Sequence, residues 1–215
     1  MSTFYEETVT CAACRQESKQ TSIGSTNRFG SPDLDLRPPE MMRSTMCLWV
    51  QECPNCGYVA EDLGAELPRI GELLASEEYK TCDGHGLKSP LARRFYKQYL
   101  IAVAAANRDE AYRAALHAAW ACDDASDTEG AILCRKHALE RLRYKKMFGR
   151  VSENETVVRA DLLRRTGQFD ALIAEYEGKK YKNETIAAVI AFELRLAEAG
   201  DTACYTVADA TADGE

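Results

Sequence analysis

Apolar residues change their spacing once along this 215-residue chain. Up to about residue 66 they are sparse, and where they recur they do so at every second position. From residue 67 onward they recur with a period near 3.6. Alternation marks a strand with one buried face, and the longer period marks an amphipathic helix. Thr8, Val9 and Thr10 suit a short strand, because β-branched side chains fit a pleated surface. Residues 45–51 alternate most clearly, with Met46, Leu48 and Val50 opposed to Cys47, Trp49 and Gln51. They are predicted to form the best strand of the chain. Between these two stretches, residues 15–43 are polar and interrupted by Gly24, Gly30, Pro32, Pro38 and Pro39, which predicts turns and a loose excursion. Asp33 and Asp35 lie there without a histidine or a third carboxylate beside them, and read as solvated or turn-capping side chains.

The second part of the chain reads as a succession of helices. Ile70, Leu73 and Leu74 share a face of a short helix over residues 68–78, followed by a loop over 81–89. Ser89-Pro90 places an N-cap before a proline at the first helical position, and Leu91, Phe95, Tyr99, Ala102, Val103 and Ala106 form the stripe behind it. A helix over 109–122 alternates small residues with Tyr112, Leu116 and Trp120. Ser126-Asp127-Thr128-Glu129 has the form of a capping box opening a helix to about Met147, and residues 152–155 repeat the signal. Asn183 starts a last helix ending at Gly200, with Ile186, Val189, Ile190, Leu194 and Ala197 inward. Residues after Tyr205 are small and acidic, and predict a disordered tail.

Cysteine placement adds the chemistry. Cys11-Ala12-Ala13-Cys14 and Cys53-Pro54-Asn55-Cys56 are two Cys-x-x-Cys turns, the second at the end of the strand predicted over 45–51. Four thiolates suit a tetrahedral Zn²⁺ and leave no coordination position open for substrate, so the leading reading is a structural site. Two redox dithiols, or a chance pairing among nine cysteines, are the alternatives. The 38 residues between Cys14 and Cys53 exceed the usual ~15–20 between paired knuckles, so the site must close over an insertion. Gly57 follows the second pair, where a knuckle favours glycine; Arg15 stands at the corresponding place in the first.

The resulting fold class is α+β, mostly α. A small β zinc ribbon over residues 1–66 precedes an antiparallel helical-hairpin array over 67–205, with a tail at 206–215. Gly167 to Tyr176 resembles the turn and second helix of a tetratricopeptide repeat, and residues 126–138 fit the same frame through Ala131 and Ala138. An ordinary αα-hairpin array fits this pattern too.

Composition narrows the setting. The chain is 46% hydrophobic and 28% charged, which is globular, and no apolar run approaches the ~18 residues of a membrane helix. The acidic start Met1-Ser2-Thr3-Phe4-Tyr5-Glu6-Glu7 does not have the form of a secretion signal, so reduced thiols in a cytoplasm are expected. Residues 1–66 hold 5 Lys/Arg against 10 Asp/Glu, a poor match to a phosphate backbone.

The combined pattern resembles a bacterial family of unknown function with an N-terminal zinc ribbon and tetratricopeptide-like helices. The matching residues are Cys11, Cys14, the run Asp33-Leu34-Asp35-Leu36-Arg37-Pro38, Trp49-Val50-Gln51, and Cys53-Pro54-Asn55-Cys56-Gly57-Tyr58-Val59-Ala60. The resemblance implies the architecture and a zinc-binding ribbon, and no activity. Ala12 and Arg15 depart from the family's Cys-Pro-x-Cys-Gly.

Other candidates are thinner. Cys82 with His85, and Cys134 with His137, are each half of a metal site without a partner half. His117 is expected to pack beside Trp120, and Cys122 and Cys134 read as core or helix-surface thiols. Arg141, Arg143, Lys145, Lys146 and Arg150 form the concentrated basic patch, suited to a helix C-terminus. No serine nucleophile motif, phosphate loop or His-Glu-x-x-His helix occurs in the sequence. The expected function is a zinc-binding protein-interaction module that docks another protein on its helices; a nucleic-acid-binding ribbon and a zinc-dependent enzyme are the alternatives.

Overall fold

The computed structural model describes residues 1–65, 70–81, 86–148 and 152–212. Small antiparallel sheets at the N-terminus are followed by a helical array. Strands β1 (Thr3–Thr10) and β2 (Glu17–Ser25) pair antiparallel, as do the two-residue strands β3 (Gln51–Glu52) and β4 (Val59–Ala60). The helices are α1 (Ile70–Ala75), α2 (Glu77–Lys80), α3 (Pro90–Ala104), α4 (Arg108–Asp124), α5 (Thr128–Phe148), α6 (Glu153–Arg165), α7 (Phe169–Tyr176), α8 (Glu184–Glu198) and α9 (Val207–Ala212). No helix among the described residues is long and apolar enough to cross a membrane.

The chain divides into two compact units. One comprises Met1–Arg28 and Glu40–Cys134, the other Phe29–Pro39 and Arg135–Glu215. This differs from a boundary at residue 66. The N-terminal strands share their compact unit with α1 to α4. Tyr79 Oη donates to Gly57 O at 2.7 Å, and Lys97 Nζ lies 3.5 Å from Glu52 Oε1. β4 also packs against α3.

The signals that open the helices hold in most places. Ser89 Oγ accepts from Ala92 N at the start of α3, Asn183 Oδ1 accepts from Ile186 N at α8, and Ser152 with Glu155 forms a complete capping box at α6. At α5 the cap is Asp127 rather than Ser126: its carboxylate accepts from Gly130 N at 3.2 Å and Lys88 N at 3.0 Å. The stripe on α3 turns so that Tyr96, Gln98 and Ile101 are buried while Val103 is exposed. Gly167 has φ +72 and turns α6 into α7, as its sequence context requires.

Three expectations are overturned. Residues 43–48 form a 3-10 helix instead of a strand. Met46 and Val50 are buried, and a spacing of four satisfies both periods. The tie is broken by Thr45: its hydroxyl donates to Met42 O at 2.7 Å and accepts from Trp49 Nε1 at 3.0 Å, closing a helical turn. Residues 15–43 are not loose, since they contain β2 and the buried run Asp33–Asp35 with Arg37. The tail is ordered through residue 212: Thr206 bridges to Asp33, Val207 N donates to Pro32 O, and Ala210 is buried in α9.

In the second unit, α6, α7 and α8 pack on one another around Leu162, Leu172, Val189 and Ile190. Leu34 joins them as a fully buried side chain, its N–H donating to Tyr205 O at 2.9 Å. Asp35, expected to be solvated, is 1% exposed and faces Arg135 Nη2 at 3.5 Å and Arg165 Nη1 at 3.7 Å.

Candidate metal centre

Each Cys-x-x-Cys turn is the tip of a β-hairpin. In the first, Thr10 pairs with Glu17 across the turn; in the second, Glu52 pairs with Val59. The two turns are built alike. Cys11 N donates to Gln16 O and Arg15 N to Cys11 O, both at 2.9 Å. Cys53 N donates to Tyr58 O at 2.8 Å and Gly57 N to Cys53 O at 2.9 Å. The residue after the second cysteine is left-handed in both, Arg15 at φ 60 and Gly57 at φ 72. Arginine therefore adopts the conformation that glycine takes in the second turn, and the missing glycine does not alter the turn type. Ala12 N donates to Leu63 O at 2.8 Å, tying the first tip to the chain beyond β4.

This geometry brings the four predicted ligands together. The Sγ atoms of Cys11, Cys14, Cys53 and Cys56 all lie within 4.8 Å of one another. Cys11 Sγ is 3.8 Å from Cys56 Sγ, and Cys14 Sγ is 3.6 Å from Cys53 Sγ. A regular tetrahedron with metal–sulfur bonds of ~2.3 Å has sulfur–sulfur edges of ~3.8 Å. The donor set thus fits a tetrahedral thiophilic ion. Cys11 and Cys53 are buried and Cys14 and Cys56 half-buried. Burial pushes the Cys11 and Cys56 thiols up, while hydrogen bonding, first from the Asn55 side chain and then from the Gln16 backbone, pulls Cys14 down to about 6. Holding a metal would require all four as thiolates, charge −4, which a divalent cation would halve.

The remaining candidates separate. Among the described residues, the four cysteines are the group of three or more His, Cys, Asp or Glu side chains that could hold a metal. Cys134 is buried in α5, and neither it nor His137 belongs to that group. Cys82 and His85 lie outside the described residues, as do the side chains of Arg143, Lys145, Lys146 and Arg150. Arg141 is within them and lies 3.3 Å from Glu140. Cys122 is buried in α4.

His117 packs as expected, but among more rings than the sequence suggests. Its centroid is 5.0 Å from Trp120, 5.2 Å from Trp49 and 5.2 Å from Phe95. Burial, and secondarily the charge of Arg113, push its imidazole down to about 3, so it is neutral at physiological pH. The Asp35 cluster was missed because each of its arginines is far away in sequence. The run Asp33–Arg37 was visible as part of the resemblance, without its role.

Comparison of the chain with family models, with curated proteins and with solved structures finds no match.

Proposed function

We propose that Cys11, Cys14, Cys53 and Cys56 hold one Zn²⁺ as a structural ion and that the chain is a protein-interaction module. The observation that supports this most directly is the meeting of four sulfurs from two like-built hairpin tips, at edges of 3.6 and 3.8 Å. A full thiolate shell suits a fastening role, since catalytic zinc keeps a position for water or substrate. Bound zinc would pin the tips together and neutralise half their charge. In this reading the chain is similar to the bacterial ribbon-and-helices family, its C-terminal helices being tetratricopeptide-like, and a thiolate site belongs in a reducing cytoplasm.

The docking surface in this proposal is the concavity of about 610 Å³ on α5, α6 and α7, lined by Lys136, Leu139, Glu140, Arg159, Leu163 and Ala171. Apolar Leu139, Leu163 and Ala171 among charged rims suit a segment of another protein. Arg159, one of the walls, is fixed by a fork to Glu175 at 3.0–3.1 Å.

Two measurements test the two halves. Elemental analysis of purified protein should give about one zinc per chain, lost in Cys53→Ser, Cys56→Ser; full metal in that variant rejects the ligand set. A photo-crosslinker at Gln168 in producing cells should capture one recurring protein. The purified partner should bind the wild type and an exposed-site control, Glu198→Ala, but not Ala171→Arg. Undiminished binding by Ala171→Arg, or failure to capture any partner, rejects the docking surface.

A further inference from the structure

A second cluster of chemistry lies within the C-terminal unit, where one arginine serves two acids. Arg164 of α6 is wholly buried, as is Glu193 of α8, and Asp161, one turn before Arg164, is 1% exposed. Arg164 Nε donates to Glu193 Oε2 at 2.5 Å, and Nη2 to Asp161 Oδ1 at 2.9 Å. Its remaining nitrogen, Nη1, donates to Asp201 O at 3.0 Å and Ala203 O at 2.8 Å. Four of the five guanidinium N–H donors are thereby engaged. Asp161 Oδ2 and Glu193 Oε1 are left buried without a hydrogen-bond partner among the described residues. The two carboxyl groups stand against each other. If both are ionised, acceptor faces acceptor, and one positive charge answers two negative ones in a dry interior. One proton between the two orphan acceptors satisfies both and removes one buried negative charge.

We propose that the native protein carries one proton shared between Asp161 and Glu193, and that this proton clamps α6 to α8. The neighbouring arginines offset charge but satisfy neither orphan oxygen. Arg135 of α5 and Arg165 of α6 both turn to Asp35 Oδ2, at 3.5 and 3.7 Å. Asp35 itself adds negative field at Asp161, opposed by Arg164, Arg165 and Arg135. Tyr176 of α7 and Cys204 beyond α8 also face the pair and are uncharged, their own ionisation pushed up by burial; Asp201 adds a carboxylate at its edge. Burial is the largest influence on both acids, raising Asp161 to about 6 and Glu193 to about 8.

The consequence is a stability that weakens toward alkaline pH. An acid with a raised native pKa keeps its proton where the unfolded chain has released it. The stabilisation is complete below the ordinary glutamate value and is lost as pH rises through about 8. Within that window the unfolding equilibrium constant should rise roughly tenfold per pH unit on account of this proton. Glu193→Gln is the decisive variant, because its amide donates to Asp161 Oδ2 at every pH while its oxygen still accepts from Arg164. Urea unfolding of the full chain across this window should show a steeper pH dependence in the wild type than in Glu193→Gln, by about one proton. Equal slopes overturn the proposal. Carbon-13 spectra of the carboxyl groups in the folded wild type give a second readout independent of the variant's folding. A carboxyl that stays protonated at neutral pH and titrates near 8 is expected; two carboxylates both ionised at neutral pH overturn it.

Discussion

Gly57→Ala isolates what the backbone of a knuckle contributes to holding the metal. Gly57 has φ +72, and a Cβ built there meets no atom within 4 Å, so the substitution adds no clash. What it adds is the left-handed conformation for a side-chain-bearing residue, which costs about 1–2 kcal/mol. Loss of glycine's freedom in the unfolded chain returns about 0.4–1 kcal/mol. The net cost is about 1 kcal/mol. Because Gly57 N closes the turn on Cys53 O at 2.9 Å, that cost falls on the geometry of Cys53 and Cys56 and should appear as metal affinity. Competition with a chromophoric chelator should show zinc held about 5-fold more weakly. Gly57→Asn should lose less, since asparagine tolerates this conformation. The reciprocal change is available at Arg15, left-handed at φ 60. Arg15→Gly should bind zinc about 5-fold more tightly than Arg15→Ala, a comparison that subtracts the guanidinium from the backbone effect. Affinity of Gly57→Ala within twofold of wild type, or asparagine as costly as alanine, would refute the argument.

Gly130→Ala should lose about 2–3 kcal/mol in urea unfolding, because its Cβ would meet Asp127 Oδ2 at 2.5 Å and Leu87 Cδ2 at 2.6 Å, displacing the carboxylate that caps α5. Arg164→Met should cost about 3–5 kcal/mol at neutral pH by stranding Asp161 and Glu193, with partial recovery on acidification as the pair takes up its second proton; a loss under 1 kcal/mol would show that the cluster carries little stability. Zinc removal should change tryptophan emission, because Trp49 stands two residues from β3 and contacts Trp120 at 6.4 Å; an unchanged spectrum would mean the ribbon and the ring cluster are uncoupled.

Legibility followed the range over which each signal acts. Ser152 and Glu155 cap α6 within one turn, and the sequence states this pair outright. The four ligands were legible for a similar reason. Each Cys-x-x-Cys fixes its own turn, so the fold had only to bring two finished tips together. Residues 45–51 failed because seven positions cannot separate a period of two from one of 3.6 when the apolar residues stand four apart. A side-chain bond, Trp49 to Thr45, decided it. Asp35 failed for want of its partners: Arg135 and Arg165 are a hundred or more positions away, and no local pattern announces that pairing. The glycines and prolines of residues 15–43 predict turns and a loose excursion. Those residues bend the chain without exposing its whole length: Pro39 is buried, as are Asp33, Leu34, Asp35 and Arg37.

The proposed dependence of the ribbon on metal rests on what its strands lack. β1 is exposed at nearly every position, and β3 and β4 are two residues each. An isolated two-stranded hairpin is marginal in water. Against this, structural zinc contributes on the order of 10 kcal/mol in small modules. The bond from Tyr79 to Gly57 and the half-exposed Lys97–Glu52 pair contribute about 1 kcal/mol each. On the proposed reading, the ion supplies the larger share of what holds the tips together. Alkylation rates should therefore fall into three classes. Cys47 is exposed and should react at once in any state. Cys122 and Cys134 are buried in the helical core and should stay protected with or without metal. Cys11, Cys14, Cys53 and Cys56 should be protected in the zinc-loaded protein and, after chelation, react at rates alike to one another, despite the deeper burial of Cys11 and Cys53. Mass spectrometry of the alkylated peptides resolves each site. If Cys11 and Cys53 stay protected after zinc is removed, the tips are held by packing against the hairpin of α3 and α4, and the ion is a ligand of a preformed site.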